Sequence, residues 1–140
     1  MKMIESNTHI RVRYADTDQM GIVYHSHYLE WFEAGRAELF REMGMPYTEI
    51  EKKGIVLPII ETYLRYKRPA KYDQILKIIT MLKEIPKAKL KIYYNIYDEN
   101  HSNLLVDGYT VHSFINSKGK PTRIPLWMKR VFEENFNDEY

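Results

Sequence analysis

The chain has 140 residues, of which 44% are hydrophobic and 29% charged, the size and balance of one folded domain. Its formal net charge of +2 is too small to indicate nucleic-acid binding by bulk electrostatics. The absence of cysteine excludes disulfides, thiolate catalysis and zinc–thiolate sites. No signal-peptide-like start is visible, and no stretch approaches the ~18 apolar residues of a membrane helix. We therefore expect a single domain over residues 1–140, in the cytoplasm, with no nucleic-acid partner and no membrane insertion.

The first third of the chain predicts a strand, a turn and a long helix. Polar and apolar residues alternate over His9–Tyr14, as in a strand with one buried face. Asp16–Val23 contains Gly21 and predicts a turn. Apolar residues then recur at helical spacing over Ser26–Met43, which predicts an amphipathic helix. Gly35 lowers helix propensity, so we expect it to mark a close approach between this helix and a sheet.

The remainder of the chain predicts mainly strands. A short helical turn, four strands and a terminal helix are expected over Tyr47–Lys53, Ile55–Tyr66 with an interruption at Pro58, Gln74–Glu84, Ala88–Tyr97, Leu104–Asn116 and Leu126–Glu134. One strand, a long helix and four strands with short connections indicate a curved antiparallel sheet wrapped around one central helix, an α+β hot-dog fold. Because such a sheet covers one side of its helix and leaves an edge strand open, a homodimer is expected.

Two carboxylates lie at the turn before the long helix. We expect the side chains of Asp16 and Asp18 to diverge there, because a turn interrupts the strand that would place them on one face. Asp18 lies closer to the helix entry, where unpaired N–H groups can stabilise developing negative charge, and is the better candidate for a base or nucleophile. Asp16 is better placed to bind local backbone N–H groups. The alternative is that both residues only form the turn or cap the helix.

Two further pairs of polar residues lie on the helix. His25 and His27 are two residues apart and do not share a helix face, so a metal site with Asp18 is disfavoured and no metal is expected. Glu33 and Arg36 are three residues apart, and we expect them to form an exposed or interfacial ion pair.

Basic residues gather in two stretches, Arg65, Lys67, Arg68 and Lys71, and then Lys83, Lys87, Lys89 and Lys91. Either group could hold the phosphates of a nucleotide-bearing substrate. Alternatively, these lysines only protect strands from edge-to-edge pairing.

The turn and helix together carry a recognisable pattern. The run Tyr14-x-Asp16-Thr-Asp18-x-x-Gly21-Ile-Val-Tyr24-His25-x-x-Tyr28, followed by Glu33-x-x-Arg36-x-Glu38, resembles the signature of the 4-hydroxybenzoyl-CoA thioesterase-like hot-dog family, especially its YbgC-type acyl-CoA thioesterases. The resemblance continues through Tyr66-x-x-Pro69-Ala70-x-Tyr72-Asp73. It implies hydrolysis of an acyl-CoA thioester without metal or cofactor, by a homodimer that pairs into a homotetramer.

The resemblance also implies roles for individual residues. The family's catalytic carboxylate falls on Asp18, acting as nucleophile or as the base that activates water. The backbone N–H that polarises the thioester carbonyl falls on His25. Many members carry Asn before the tyrosine corresponding to Tyr28, whereas this chain carries His27. Substrate binding is expected at the helix entry and at two lysines: Gly21, Val23, Tyr24, Lys87 and Lys89.

Two other functions are compatible with this fold. A hot-dog hydratase or dehydratase pairs a histidine with an acidic residue from the helix across the dimer. A catalytically silent module would bind acyl-CoA or an acyl-carrier protein without releasing thiol. The intact Asp18 and the Gly21–His25 helix entry favour the thioesterase over both.

Overall fold

One long helix packs on an antiparallel sheet of six strands in the computed structural model, which describes residues 3–137 of the chain. The elements are β1 (Ile4–Arg11), a 3₁₀ turn (Tyr14–Asp16), α1 (His27–Glu42), α2 (Tyr47–Lys52), β2 (Ile59–Tyr66), β3 (Ile75–Leu82), β4 (Lys89–Asp98), β5 (Leu104–Ile115), β6 (Pro121–Thr122) and α3 (Leu126–Phe136). The predicted α+β architecture is confirmed, and the ends of the predicted domain, residues 1–2 and 138–140, lie outside the described residues.

The strands lie in the order β1-β3-β4-β5-β2, and β6 pairs with the end of β5. Only β3–β4 and β4–β5 are hairpin neighbours among the five long strands, since β2 pairs with β5 and β3 with β1. The connection between β2 and β3 therefore crosses the sheet, from the edge strand β2 to β3 beside the opposite edge strand β1. The sequence had predicted only short connections between neighbouring strands. β1 and β2 form the two edges.

The helix α1 contributes the centre of the core because its apolar residues recur every three or four positions. Its buried residues are Tyr28, Trp31, Phe32, Gly35, Arg36, Leu39 and Phe40. The Phe32 ring stacks on the Tyr94 ring of β4 with centroids 4.1 Å apart. At Gly35 the helix backbone comes so close to β3 that a Cβ would lie 2.3 Å from the Thr80 hydroxyl oxygen. The predicted close approach at Gly35 is confirmed.

The first strand lies earlier in the chain than predicted. Alternation favoured His9–Tyr14, but the strand ends at Arg11, and Tyr14 is 78% exposed in the 3₁₀ turn. The inward positions at the start of β1 include a polar residue, Ser6, whose hydroxyl donates to Glu42 Oε2 at 2.8 Å. A polar side chain on the buried face weakens the apolar alternation on which the prediction depended.

The second predicted strand is shorter than expected, and a small strand was missed. Regular pairing starts at Ile59, one residue after Pro58, while Val56 forms an isolated bridge with Ile115. Proline lacks the N–H that a sheet ladder needs, so the interruption falls there. β6 has only two residues, too few for a periodic signal.

No helix within residues 3–137 is long and apolar enough to cross a membrane.

Candidate active site

The turn before α1 is closed by Asp18. Its main-chain N–H donates to Ile22 O at 2.8 Å, and its carbonyl accepts from Gly21 N at 3.1 Å. Its side-chain Oδ1 accepts from Met20 N at 2.8 Å and from Ile22 N at 3.3 Å. Gly21 has φ of +75°, a left-handed conformation that favours glycine. The turn therefore fixes the orientation of an exposed carboxylate.

Asp16 points into the protein, where it is 1% exposed. Its Oδ2 accepts from Arg13 N at 2.8 Å, and its Oδ1 accepts from Arg13 Nη2 at 2.9 Å. Burial opposes ionisation of this carboxyl, but the hydrogen bonds and charge of Arg13 outweigh it, so the pKa of Asp16 lies below its usual value. The predicted divergence is confirmed: Asp16 binds local groups inside, and Asp18 faces solvent.

The turn is also tied to the segment between β2 and β3. Val23 N donates to Ala70 O at 3.0 Å, and Tyr72 N donates to Gly21 O at 3.2 Å. The hydroxyl of Tyr28, in the first turn of α1, accepts from Ala70 N at 3.2 Å. The turn and the start of the helix are thus held against one common piece of backbone.

The helix entry leaves a backbone donor available beside this turn. α1 starts at His27, and its cap, Ser26, makes no side-chain capping bond. Among residues 3–137, the main-chain N–H of His25 donates no hydrogen bond, while the His25 carbonyl accepts from the Tyr66 hydroxyl at 3.2 Å. The positive end of the helix dipole lies here, so this N–H can stabilise negative charge on a ligand.

A pocket of about 250 Å³ opens between the helix entry and the end of β2. It is lined by Ile22, Val23, His25, Tyr28, Tyr66, Lys67, Arg68 and Pro69. Two of the predicted site residues, Val23 and His25, lie on its wall. Asp18, Gly21 and Tyr24 belong to the same turn and helix entry but do not line the pocket.

The basic residues at this pocket are Lys67 and Arg68. Arg68 Nη1 donates to Asn103 Oδ1 at 2.9 Å, which holds its guanidinium toward the β4–β5 hairpin. Sequence reasoning grouped both residues in the first basic stretch without selecting them. What selects them is that the end of β2 lies against the start of α1, a contact between distant parts of the chain that only the fold reveals.

Lys87 and Lys89 lie at the opposite end of the sheet. Lys89 pairs with Ser113, close to the position where β2 starts, whereas Tyr66 pairs with Val106 at the other end. Seven residues of strand separate the two ends, roughly 23 Å at 3.3 Å per residue. Both lysines line a separate depression formed by residues 84–89. The structure therefore does not bring them to the pocket of the same protomer.

The predicted ion pair between Glu33 and Arg36 is wrong. Arg36 is only 8% exposed, and its Nη1 donates to the Tyr94 hydroxyl at 3.0 Å. The sequence predicted Arg36 on the polar, solvent-facing side of the helix because arginine is rarely buried. The Tyr94 hydroxyl that accepts from the buried Arg36 lies on a distant strand, so no residue near Arg36 in the sequence indicates its burial.

A directional hydrogen-bond chain continues from Tyr94. The Tyr94 hydroxyl lies 2.7 Å from Thr110 Oγ1, which lies 2.8 Å from His112 Nε2, and His112 Nδ1 lies 2.9 Å from Leu57 O. A carbonyl can only accept a hydrogen bond, so His112 Nδ1 carries a proton. Burial lowers the pKa of His112 to about 4, so the ring is neutral at pH 7. Its Nε2 then accepts from the Thr110 hydroxyl, which in turn accepts from Tyr94.

One group within residues 3–137 has the side-chain types and proximity of a metal site. Asp16, His27 and Glu30 offer ligand atoms within 4.8 Å of one another. The grouping differs from the disfavoured set of Asp18, His25 and His27. Arg13 already supplies a positive charge to Asp16, at 2.9 Å, which opposes cation binding there.

Comparison with known proteins identifies the family. The model of the thioesterase-like superfamily matches residues 12–132. The chain belongs to this superfamily. It is 41% identical over 93 residues to YneP of Bacillus subtilis, a candidate acyl-CoA thioesterase, covering 66% of this chain and 67% of that protein. It is 29% identical over 134 residues to the acyl-CoA thioesterase YbgC of Helicobacter pylori, covering 91% of this chain and 96% of that protein.

The fold agrees with this assignment. The crystal structure of a DHNA-CoA thioesterase from Staphylococcus aureus superposes with a TM-score of 0.83 at 30% identity, covering 97% of this chain and 96% of that one. The predicted family, hot-dog fold and enzyme class, a thioesterase, are confirmed.

Proposed function

We propose that this thioesterase hydrolyses an acyl-CoA thioester to a free acid and CoA, with the Asp18 carboxylate and the His25 N–H as the reacting groups. The observation that carries the proposal is the turn that places an exposed carboxylate beside a helix entry with an available N–H donor, next to a pocket. The names of the relatives support the substrate class, since the Helicobacter protein is an acyl-CoA thioesterase and the Staphylococcus protein acts on DHNA-CoA.

The His25 N–H stabilises the oxygen of the thioester carbonyl. As the carbonyl carbon is attacked, negative charge develops on this oxygen, and a donor at the positive end of a helix is aimed at it without reorganisation. A single donor of this kind is worth about 3–4 kcal/mol in other acyl-transfer enzymes. The Tyr66 hydroxyl binds the His25 carbonyl, which belongs to the following peptide plane, and so tethers the chain next to the donor.

The Asp18 carboxylate either attacks the thioester carbonyl carbon as the nucleophile or acts as the base that activates an attacking water. The N–H groups of Met20 and Ile22 both bind Oδ1, and among residues 3–137 no group donates to Oδ2. Oδ2 is therefore the oxygen that acts on the substrate. Gly21 and Tyr24 shape the turn and the helix entry around it.

The acyl group enters the pocket beside Val23 and Tyr28, whose walls are largely apolar and aromatic. Lys67 and Arg68 lie where a polar tail would leave this pocket, and they bind the phosphates of CoA. They take the role that the sequence suggested for Lys87 and Lys89, which lie at the far end of the sheet.

The working form is a homodimer joined through β2. This strand is an edge, and each of its residues is exposed or half-buried, including exposed apolar side chains at Ile59, Ile60 and Tyr63. An open apolar edge of this length is the feature that a second copy covers by extending the sheet. Pairing of two dimers into a homotetramer stays a prediction.

The decisive experiment is thiol release from short, long and aromatic acyl-CoA thioesters by wild type and Asp18→Asn. Asparagine keeps the Oδ1 acceptor for Met20 and Ile22, so the turn and fold are expected to persist while kcat falls at least about 100-fold. Glu134→Gln, an acid-to-amide change at an exposed residue of α3, is the matched control and keeps full activity.

Each alternative gives its own result in the same assay. Saturable acyl-CoA binding without thiol release would indicate a silent binding module. Water addition to an enoyl-CoA would indicate a hydratase. Full activity of Asp18→Asn would overturn the role of that residue.

A further inference from the structure

His27, the first residue of α1, lies between two carboxylates. Its Nδ1 is 2.7 Å from Glu30 Oε2 and 3.5 Å from Asp16 Oδ1. An ionised carboxylate can only accept a hydrogen bond, so Nδ1 must carry a proton in this arrangement. The donor role of one ring nitrogen is thus assigned by its surroundings.

The two carboxylates differ in what they connect. Glu30 is exposed and lies on the same helix, so its contact with His27 is local. Asp16 is buried and belongs to the 3₁₀ turn, two residues before Asp18. Of these two contacts, the one between His27 and Asp16 joins the helix to the turn that carries the reacting carboxylate.

Asp16 also holds the chain on the other side of His25. Its main-chain carbonyl accepts from Tyr24 N at 2.9 Å. Asp16 therefore accepts a hydrogen bond from Tyr24 and lies within ion-pair distance, 3.5 Å, of the His27 ring, on either side of His25. Since Arg13 fixes the Asp16 carboxylate by a main-chain and a side-chain bond, Asp16 is a rigid reference point for both.

We propose that His27 is a positioning residue that, through Asp16, sets the distance between the Asp18 carboxylate and the His25 N–H. This inference rests on the proposed function, because it concerns the placement of the two groups assigned there. His27 does not line the pocket, so its effect on the reaction is indirect. The charges around it are Arg13, Asp16 and Glu30.

A positioning role of residue 27 requires an N–H donor at the position of His27 Nδ1. A residue that only fills space at this position needs no such donor. The side-chain amide of asparagine places a nitrogen at nearly the same distance from Cβ, so His27→Asn keeps the donor. Leucine keeps volume without a donor, and glutamine moves the amide one bond farther out. The ranking of these three variants is therefore diagnostic.

We expect His27→Asn to keep kcat within about threefold of wild type, and His27→Leu and His27→Gln to lower kcat at least about tenfold with KM nearly unchanged, since small displacements of reacting groups reduce rates steeply. His9→Leu, an exposed histidine on β1, is the matched control and keeps full activity. A space-filling role gives the reverse order, with leucine active and asparagine impaired, and would overturn the proposal. Equal activity of all three variants would overturn it as well.

A second measurement does not depend on catalysis. Amide hydrogen exchange at Tyr24 reports its bond to Asp16, and we expect faster exchange in His27→Leu and His27→Gln but not in His27→Asn. Unchanged exchange in all variants would refute the positioning role even if the enzyme were inactive for another reason. Conversely, an active Asp18→Asn enzyme with the expected exchange pattern would refute the proposed function and leave the link between helix and turn intact.

Discussion

Gly35 of α1 and Thr80 of β3 touch backbone to side chain: a Cβ on Gly35 would lie 2.3 Å from Thr80 Oγ1 and 3.1 Å from Ile78 Cγ2. Thr80 Oγ1 is buried and has no hydrogen-bond partner within residues 3–137, so no polar contact compensates a displacement. The missing side chain at residue 35 therefore sets how closely the helix approaches the sheet, and with it the position of the helix entry.

Gly35→Ala is expected to destabilise the protein by about 1–3 kcal/mol, because overpacking outweighs the better helix propensity of alanine. Urea unfolding monitored by circular dichroism measures this change. Thr80→Ala removes the colliding oxygen, so the double variant should recover part of the loss. A Gly35→Ala protein as stable as wild type would contradict the close approach.

Local patterns predicted the elements well where periodicity was strong. The helix was expected over Ser26–Met43 and lies at His27–Glu42, because seven buried residues follow one helical stripe. The local pattern does not determine the order of strands, since β2 pairs with β5 through residues 40 to 53 positions apart in the chain. That order decides which lysines lie at the pocket, and within one protomer it places Lys87 and Lys89 at the other end of the sheet.

The site itself was predicted in part for the same reason. The turn at Gly21 and the divergence of Asp16 and Asp18 are local, and short-range turn chemistry describes them. The burial of Arg36 depends on Tyr94, which lies on a distant strand, and the residues next to Arg36 in the sequence do not indicate this burial. The contact between His27 and Asp16 also needs the turn and the helix to be placed together.

The stability of the protein should fall as pH decreases from neutrality to 5, because of His112. Burial lowers its pKa in the folded state to about 4 from an ordinary value of 6.5, so between these values the unfolded state binds a proton that the folded state does not. This favours unfolding at the lower pH, by about 2 kcal/mol between pH 7 and pH 5. Urea unfolding at a series of pH values measures the slope.

The variant His112→Gln separates this contribution from other titrating groups. It removes the titration, so its unfolding free energy should vary less between pH 7 and 5 than that of wild type, even though the variant is less stable at pH 7. The exposed His9→Gln should keep the wild-type slope. Equal slopes in wild type and His112→Gln would mean that burial does not hold His112 neutral in the folded protein.

Lys67 should contribute to substrate affinity through the phosphates of CoA. Lys67→Ala is expected to raise KM for acyl-CoA about fivefold, which corresponds to about 1 kcal/mol for an exposed ion pair, and added salt should reduce the difference. Steady-state thiol release measures both. A short thioester that lacks the nucleotide should show no change, and Lys87→Ala should leave KM for acyl-CoA unaltered. A larger effect of Lys87→Ala than of Lys67→Ala would place the phosphates elsewhere.

Because β2 is an open edge strand, a single substitution by proline in this strand tests whether the homodimer forms through it. Lys67 N donates to Leu105 O on β5 at 2.8 Å, so by strand alternation the N–H of Thr62 points away from β5. Thr62→Pro therefore removes no bond within the protomer but blocks pairing with a second copy along this edge. We expect it to be a folded monomer by light scattering after size exclusion, whereas Thr62→Val, which keeps the N–H, stays dimeric. A dimeric Thr62→Pro protein would show that the copies associate through another surface.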